Sequence, residues 1–264
     1  MLRNIGVIEI KEELAIRNLK DIKEVFDKFA VDYWLDLGTL LGAVRDRMIL
    51  PWDDDVDVGV REESWAKILS VVSEFKTRGF YVEVNDWRLN KSFVYRYITL
   101  YRWGWFMGIY PYRLLKNKIA VRPDIRESFL TRSLMLLYHL LFLNKAHVTS
   151  KNESLLKIAE KLINSIPDRI KNPFSSVVFF ILSILRKTAL EYYLVVIPKR
   201  HFETLDTIDF YGTTFSIPSD VEKYLECRYG KDWRIPKKEW KWWVPGAMPS
   251  LKNARSDLKK EENY

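Results

Sequence analysis

The chain has 264 residues, of which 48% are hydrophobic and 30% are charged, a balance that is typical of a folded protein and argues against disorder. Its formal net charge of +8 favours an anionic partner: a nucleotide, a nucleic acid, a phospholipid surface or a phosphorylated glycan. A single cysteine, Cys227, excludes an internal disulfide and a cysteine-rich zinc site, and the three histidines are scattered. A bound metal ion would therefore need oxygen ligands, as Mg²⁺, Mn²⁺ or Ca²⁺ do.

Hydrophobic periodicity divides the first half of the chain into alternating helices and strands. The predicted elements are a helix at 11–30, a strand at 31–38 (VDYWLDLG), a helix at 39–46 (TLLGAVRD), a strand from Asp55 to Val60 and a helix at 62–79. Four segments rich in aromatic and β-branched residues then predict successive strands between residues 80 and 121. This half has the pattern of a mixed α/β fold.

The second half begins with a helical pattern from Pro123 to about Leu194. It contains two uncharged apolar runs, both shorter than the roughly 20 residues that a membrane-spanning helix needs, at 133–144 and 172–185. Two interpretations stay open: buried core helices, or interfacial helices whose flanking cations contact an anionic membrane. We predict one α/β (α+β) domain over 1–264, with a helical insertion at about 122–200.

Four aspartates lie within five positions at the start of the predicted acidic strand. Side chains alternate along a strand, so Asp53, Asp55 and Asp57 share one face and the valines share the other. Asp54 falls on the valine side and is expected to turn away. Carboxylates two residues apart repel by about 2–3 kcal/mol at an effective dielectric of about 20. A divalent cation would remove that repulsion, although a solvated acidic loop remains the alternative.

A turn upstream of the acids offers the complementary group. Gly38 and Thr39 follow an apolar strand at a predicted helix start, where backbone N–H groups and a hydroxyl can bind an anion. A plain turn and helix cap would explain the pair equally well. Together with a metal ion on Asp55 and Asp57, however, a phosphate at this turn would bracket a nucleotide diphosphate. That is the layout of phosphoryl and nucleotidyl transfer.

The stretch YWLDLGTLLGAVRDRMILPWDDDVDVGV closely resembles the core motif of the LicD family, which includes fukutin and fukutin-related protein. The family motif reads G-T-L-L-G-A-x-R and then P-W-D-D-D-[IV]-D. A weaker resemblance, at about 208–236, is to the closing pattern F-x-G-x-x-x-x-I-P followed by Y-L-x-x-x-Y-G-x-D-W. The resemblance implies a nucleotidyltransferase-like mixed sheet flanked by helices.

The resemblance also implies an activity and a set of site residues. Family members move a phospho-alcohol, such as phosphocholine or a polyol phosphate, from a CDP-activated donor to a cell-surface glycan or glycolipid. By matching position, Mg²⁺ or Mn²⁺ would be bound by Asp55 and Asp57, with Asp53 as a third ligand. Donor phosphate would be bound by Gly38, Thr39 and Arg45. For Arg45 a salt bridge to Asp46 or Asp54 stays open as the alternative.

One departure from the family pattern bears on activity. Where LicD-like sequences carry D-I-F-P, this chain reads GIYP, so Gly108 stands at the position of an expected aspartate. Glu83 or Asp53 could substitute for it, and His201 could serve as a base or be structural. Without a substitute, the alternative is a catalytically inactive membrane-binding or glycan-binding relative.

We therefore expect a metal-dependent phosphotransferase with a glycan or glycolipid acceptor and no nucleic acid partner. The N-terminus lacks the apolar stretch of a signal peptide, so the expected location is cytoplasmic, with peripheral contact at an anionic inner membrane face. The enzymatic alternative is nucleotidyl transfer to RNA or a small molecule.

Overall fold

The structure is a computed structural model that describes residues 2–88, 94–115, 119–126, 191–237 and 251–253. The chain forms two compact units, one made of Met1–Asp124 with Tyr193–Tyr264 and the other of Ile125–Tyr192. In the second unit the described residues are 125–126 and 191–192, which belong to strands. The prediction of one domain with an insertion at about 122–200 stays a prediction.

The described helices are α1 Leu2–Lys28, α2 Leu37–Leu41, α3 Trp65–Ser70, α4 Val72–Thr77, α5 Arg200–Glu203 and α6 Val221–Tyr229. A π-helical turn, Gly42–Asp46, continues α2, and a 3₁₀ turn, Glu62–Ser64, precedes α3. The described strands are β1 Tyr33–Leu35, β2 Asp55–Arg61, β3 Tyr81–Arg88, β4 Val94–Arg102, β5 Trp105–Leu114, β6 Ile119–Arg126, β7 Glu191–Pro198, β8 Leu205–Phe210, β9 Thr213–Pro218 and β10 Leu251–Asn253.

A mixed sheet is the centre of the fold and confirms the predicted α/β class. In the described part of the chain eight strands form it, in the order β1-β2-β5-β6-β7-β10, and β4 and β3 extend from β5 on the other side. β2 and β5 are parallel, whereas β1 with β2, β5 with β4 and β4 with β3 are antiparallel. β8 and β9 form a separate hairpin.

One face of the sheet is the hydrophobic core, and strand alternation decides which residues enter it. The valines of β2 are buried, and their neighbours on β5 and β4 are equally buried aliphatic residues: Val56, Val58, Val60, Met107, Ile109, Ile98 and Leu100. Helix α1 packs on β2 and β5 with Leu19, Ile22 and Phe26, which recur at helical spacing. Each such burial contributes about 1.5–3 kcal/mol. The acidic residues of β2 consequently lie on the opposite face.

The predicted helical pattern is wrong at both of its ends. β6 runs through Pro123 to Arg126, and β7 begins at Glu191, inside the stretch that was expected to be helical. A short apolar run such as EYYLVVIP suits a buried strand as well as a buried helix, and its β-branched and aromatic residues favour the strand. The helices predicted between these strands lie outside the described residues.

The predicted helix at 62–79 is divided into a 3₁₀ turn, α3 and α4. Val71 interrupts it, and Gly79 ends it with a φ of 81°, which a residue with a side chain rarely adopts. Among the described residues no helix combines the length and the apolar character needed to cross a membrane. The apolar runs 133–144 and 172–185 lie outside the described residues.

Candidate functional site

The turn and the acidic strand lie side by side. The backbone N–H of Asp36 donates to the carbonyl of Asp57 at 3.0 Å, and the backbone N–H of Asp57 donates to Thr39 Oγ1 at 2.8 Å. The first of these bonds continues the β1–β2 ladder past its last paired residues. The second places the first turn of α2 directly against the acid strand. Residues 18 positions apart in sequence thus form one local structure.

The side chain of Asp53 packs against the same turn, at Gly38. A Cβ built on Gly38 would overlap Asp53 Oδ2 and lie 3.4 Å from Asp53 Cγ, so a side chain at 38 would force this carboxylate away from the turn. A carboxylate packed against this turn would repel a phosphate bound there unless a cation lay between them. The contact therefore favours a bridging cation at the predicted site.

The donor set fits a hard divalent ion. Asp55 and Asp57 are alternate residues of β2 on the same face; Asp55 is half-buried and Asp57 is 5% exposed. Burial, together with the neighbouring Asp54 carboxylate, raises the pKa of Asp55 to about 6. Among the described residues, no three His, Cys, Asp or Glu side chains come together as a ready-made metal site. Mg²⁺ is commonly held by one or two carboxylates plus water and substrate phosphates, which is what two acids on one face can offer.

A fully buried carboxylate, Asp36, was missed by the sequence analysis. It caps α2: Leu37 N donates to its Oδ1 at 2.8 Å. Tyr224 also donates to Oδ1, and Tyr112 donates to Oδ2 at 2.7 Å. An acid between an apolar strand and a helix start is an N-cap signal, which could have identified Asp36. Its two tyrosine partners could not have been identified, because they are 76 and 188 residues away.

The cap supports a strained turn. Leu37 has a φ of 49°, a left-handed conformation that costs a residue with a side chain about 1–2 kcal/mol. The hydrogen bonds on Asp36 offset this cost and fix the direction in which Gly38 and Thr39 leave β1. Strain of this kind is often found at functional sites.

The closing motif, about 208–236, contacts this region at three points. Tyr224 on α6 binds Asp36, Ile49 N donates to Tyr211 Oη at 2.9 Å, and Arg45 donates to the carbonyl of Trp233 at 3.4 Å. α6 also lies near the acids. Burial raises the pKa of Tyr229, the charge of the fully buried Arg228 lowers it, and Asp36, Asp57 and Asp53 raise it further. The two family-like segments are therefore in contact at the candidate site.

Arg45 forms an ion pair with Asp46, which is one of the two salt bridges considered as the alternative to phosphate binding. Its Nη2 lies 2.7 Å from Asp46 Oδ2, its Nε donates to both oxygens of that carboxylate, and its side chain is 7% exposed. Its remaining described contact is the carbonyl of Trp233. Arg45 is thus placed between the π-helical turn and the closing motif, and its role in phosphate binding stays a prediction.

Glu83 cannot take the place of the missing aspartate. Asp57 pairs with Gly108, Gly108 with Thr99, and Thr99 with Glu83, so all four share one row and one face of the sheet. Three strand spacings separate the two acids by roughly 14 Å. Metal–oxygen bonds are about 2.0–2.6 Å long, so the two carboxylates cannot bind the same ion.

Gly108 itself lies directly beside Asp57, and no side chain fits there. A Cβ at this position would overlap the ring of Tyr110 and lie 2.6 Å from Asp57 Oδ1. Further along the same face, a Cβ on Gly59 would overlap the indole of Trp34, so aromatic packing closes the face beyond Asp57. The position where a further acid was expected is therefore adjacent to the site and already filled.

His201 lies in the core and has the structural role that was held open for it. It is 1% exposed, its Nδ1 is 2.6 Å from the carbonyl of Ser219, and its ring packs edge-on against Tyr224 with centroids 5.8 Å apart. Burial lowers its pKa. Asp54, also named as a weaker candidate, is half-buried beside Asp55, and its carbonyl accepts from Phe106 N at 3.4 Å.

Residues 30–119 match the family model described as the LicD/FKTN/FKRP nucleotidyltransferase domain. An uncharacterised protein of Rickettsia typhi is 38% identical over 79 residues, 30% of this chain and 26% of that protein. The lipopolysaccharide cholinephosphotransferase LicD of Haemophilus influenzae is 31% identical over 62 residues, 23% of either chain. The human ribitol 5-phosphate transferase FKRP is 53% identical over 36 residues, 14% of this chain and 7% of that protein.

These matches cover only a part of each relative: none exceeds 27% of the relative's own length. A solution structure of the antibiotic-resistance factor ANT(2'')-Ia covers 66% of this chain and 96% of its own, at 10% identity and a TM-score of 0.30. A superposition this loose carries no argument about function.

Proposed function

Since residues 30–119 belong to the LicD/FKTN/FKRP nucleotidyltransferase domain family, we propose that this chain is a metal-dependent phosphotransferase. It moves a phospho-alcohol from a CDP-activated donor to a glycan or glycolipid acceptor. The proposal rests on one observation above all: the Gly38–Thr39 turn and strand β2 are in direct contact, and this contact is called the junction below. In it, the backbone N–H of Asp57 donates to Thr39 Oγ1, and the Asp53 carboxylate packs against Gly38. Phosphoryl transfer depends mainly on positioning and charge neutralisation, which this junction is suited to provide.

In this proposal Asp55 and Asp57 hold Mg²⁺ or Mn²⁺, and the bound ion supplies positive charge that stabilises the charge of the reacting phosphates. Gly38 has no side chain, so the Asp53 carboxylate can pack against the turn at which the phosphate is expected. Thr39 uses its oxygen to accept from Asp57 and keeps its own hydroxyl hydrogen for donation. Asp53 faces the same space and is the candidate third ligand.

The functions of two relatives support the class of reaction. One is a cholinephosphotransferase and the other a ribitol 5-phosphate transferase, so both names describe transfer of a phosphorylated alcohol. The alcohol and the acceptor of this chain do not follow from them. Acceptor recognition and contact with an anionic membrane at its inner face are assigned, as predictions, to the segment at about 122–200, most of which lies outside the described residues.

Mg²⁺-dependent protection against thermal unfolding tests the donor. CDP-choline, CDP-ribitol and CDP-glycerol are added to the full chain, with and without Mg²⁺, and release of CMP is then measured with a panel of glycan acceptors. We expect one CDP-alcohol to stabilise the chain only with Mg²⁺, and Asp57→Asn to abolish the effect. Asp209→Asn, at an exposed acid of the β8–β9 hairpin, is the matched control.

Two results would contradict this proposal. Equal stabilisation by inorganic polyphosphate would indicate a nonspecific basic surface. Donor binding without CMP release across the acceptor panel would favour the catalytically inactive glycan-binding relative, for which the glycine at 108 is the motivating observation.

A further inference from the structure

An exposed tryptophan lies next to the junction. Trp52 is 41% exposed, and the residue after it, Asp53, packs its carboxylate against Gly38. A Cβ on Gly38 would lie 3.4 Å from Asp53 Cγ, and consecutive Cα atoms are about 3.8 Å apart, so the Cα atoms of Trp52 and Gly38 are separated by at most about 11 Å. Trp52 is therefore a neighbour of any ligand that binds at the junction.

The backbone at Trp52 is fixed by a tight turn. Asp53 N donates to the carbonyl of Leu50 at 3.0 Å, which closes a β-turn. Pro51 and Trp52 are the two central residues of this turn. The proline ring fixes its own φ at about −65°, which suits the first central position. The backbone that carries the indole is consequently set before any ligand binds, and this lowers the cost of ordering it on binding.

A second exposed tryptophan, Trp103, differs from Trp52 in what covers its ring. Trp103 is 43% exposed, and the guanidinium carbons of Arg17 and Arg102 lie over its ring at 4.8 Å and 3.9 Å from the centroid. These cations use the π surface of Trp103. In the described part of the chain, by contrast, no ring or cation stacks on Trp52 and no hydrogen bond involves its N–H. The π surface of Trp52 is therefore available to a ligand.

The chemistry of the donor identifies which ligand group suits this indole. In CDP-choline, CDP-ribitol and CDP-glycerol the alcohol is acyclic, so the flat aromatic ring of each donor is its base. One ribose separates the base from the first phosphate, which places the base beside the metal and phosphate groups. Asp53, Asp54 and Asp55 follow Trp52, so a neutral ring suits this edge of the site better than a further phosphate.

We propose that Trp52 is a donor-binding residue whose indole stacks on the base of the nucleoside diphosphate. The junction then holds the diphosphate and Trp52 holds the base, so the donor is bound at two separate points. Binding energy from a remote, non-reacting group can be used to position the reacting phosphates. The inference rests on the proposed function, since it takes the junction as the diphosphate site.

Calorimetric titration of the full chain with CDP and with inorganic pyrophosphate, both in Mg²⁺, tests this inference because only CDP carries a base. We expect Trp52→Ala to weaken CDP binding about tenfold and pyrophosphate binding by less than about twofold. Trp52→Phe keeps a flat ring and should recover most of the affinity for CDP. Trp52→Leu keeps only apolar bulk and should not recover it.

Trp103→Ala is the matched control, since it removes a tryptophan of similar exposure that already has cations on its ring. It should leave the affinity for CDP unchanged. Pyrophosphate binding and the melting temperature without ligand show in each variant that the chain is folded, which separates loss of stacking from general destabilisation.

The other outcomes overturn the inference, and they distinguish it from the proposed function. Unchanged CDP affinity in Trp52→Ala, equal weakening of CDP and pyrophosphate, or wild-type affinity in Trp52→Leu overturns the stacking role and leaves the proposed function standing. A loss confined to the KM for the glycan acceptor would place a sugar on the indole and also overturns it. A wild-type chain that binds neither CDP nor pyrophosphate, or whose binding of both is unchanged in Asp57→Asn, overturns both.

Discussion

The acid-and-turn segment, residues 36–57, and the closing segment, about 208–236, contribute to the site in different ways. The first carries charge: Asp53, Asp55 and Asp57 beside the Gly38–Thr39 turn. The second contributes mainly neutral hydroxyl and carbonyl groups, from Tyr224, Tyr211 and Trp233, which bind Asp36, Ile49 and Arg45. The first segment thus carries the groups that are proposed to bind metal and phosphate, and the second holds that segment in place by hydrogen bonds. The predictions below separate these contributions.

Asp36→Asn is expected to have the largest effect, because Asp36 of the first segment accepts a hydrogen bond from Tyr224 of the second. The charged acceptor of three buried hydrogen bonds is lost, and the amide must present a donor to Tyr224 or Tyr112. We expect the free energy of unfolding to fall by about 3 kcal/mol. Urea denaturation measures this, with the exposed Asp209→Asn as the control. A loss no larger than that of the control would show that the two segments are not joined through Asp36.

Gly38→Ala tests the close contact within the first segment. The added methyl meets the movable end of the Asp53 side chain, so it should displace the carboxylate from the turn and destabilise the chain by no more than about 1 kcal/mol. Adding Asp53→Ala should recover stability in urea denaturation without recovering Mg²⁺-dependent donor binding. Recovery of both would mean that Asp53 fills space and contributes nothing to the charge of the site.

Tyr224→Phe tests the support from the second segment. One hydrogen bond to a buried carboxylate is removed, for an expected loss of about 1.5–2 kcal/mol in urea denaturation. Tyr33→Phe is the matched control: the Tyr33 hydroxyl is also buried, but the described residues offer it no hydrogen-bond partner. Equal losses in the two variants would indicate that the loss comes from removing any buried hydroxyl, and not from the bond to Asp36.

The smallest expected effect is a pH dependence through His201, which packs behind Tyr224. Burial lowers its pKa, the hydrogen bond to Ser219 opposes this, Arg200 lowers it and Asp220 raises it. Its folded pKa lies below the unfolded value of about 6.5, so the unfolded state takes up the proton first. The contribution of His201 to the free energy of unfolding is fully present above about pH 6.5. It falls as the pH decreases below that value, by less than about 1.4 kcal/mol per pH unit. In His201→Gln this slope should shrink; an unchanged slope assigns the effect to other groups.

The sequence predicted the features that depend on neighbours along the chain. Alternation of acids and valines predicted β2 and its two faces, and the Gly38–Thr39 turn was expected at a helix start, as observed for α2. Both follow from periodicities of two and 3.6 residues, which are local properties. The mixed sheet was expected from the same patterns together with the family resemblance.

The features that the sequence did not predict depend on pairing across the sheet. Glu83 was a reasonable substitute ligand until the register placed it three strands from Asp57. The same register shows that Tyr110 fills the space above Gly108, a relation that no spacing along the chain reveals. Asp36 was visible as a helix cap, but its importance comes from tyrosines on β5 and α6. Sequence separation, and not residue type, explains these omissions.

The central claim is that β2 and the Gly38–Thr39 turn bind opposite ends of one ion–phosphate unit. Crystals of the full chain grown with Mn²⁺ and a CDP-alcohol, measured at the manganese absorption edge, test it most directly. The account predicts one anomalous peak within about 2.0–2.6 Å of carboxylate oxygens of Asp55 and Asp57, with diphosphate oxygens between the peak and Gly38. A peak away from these acids, or a diphosphate that does not approach Gly38, would contradict it.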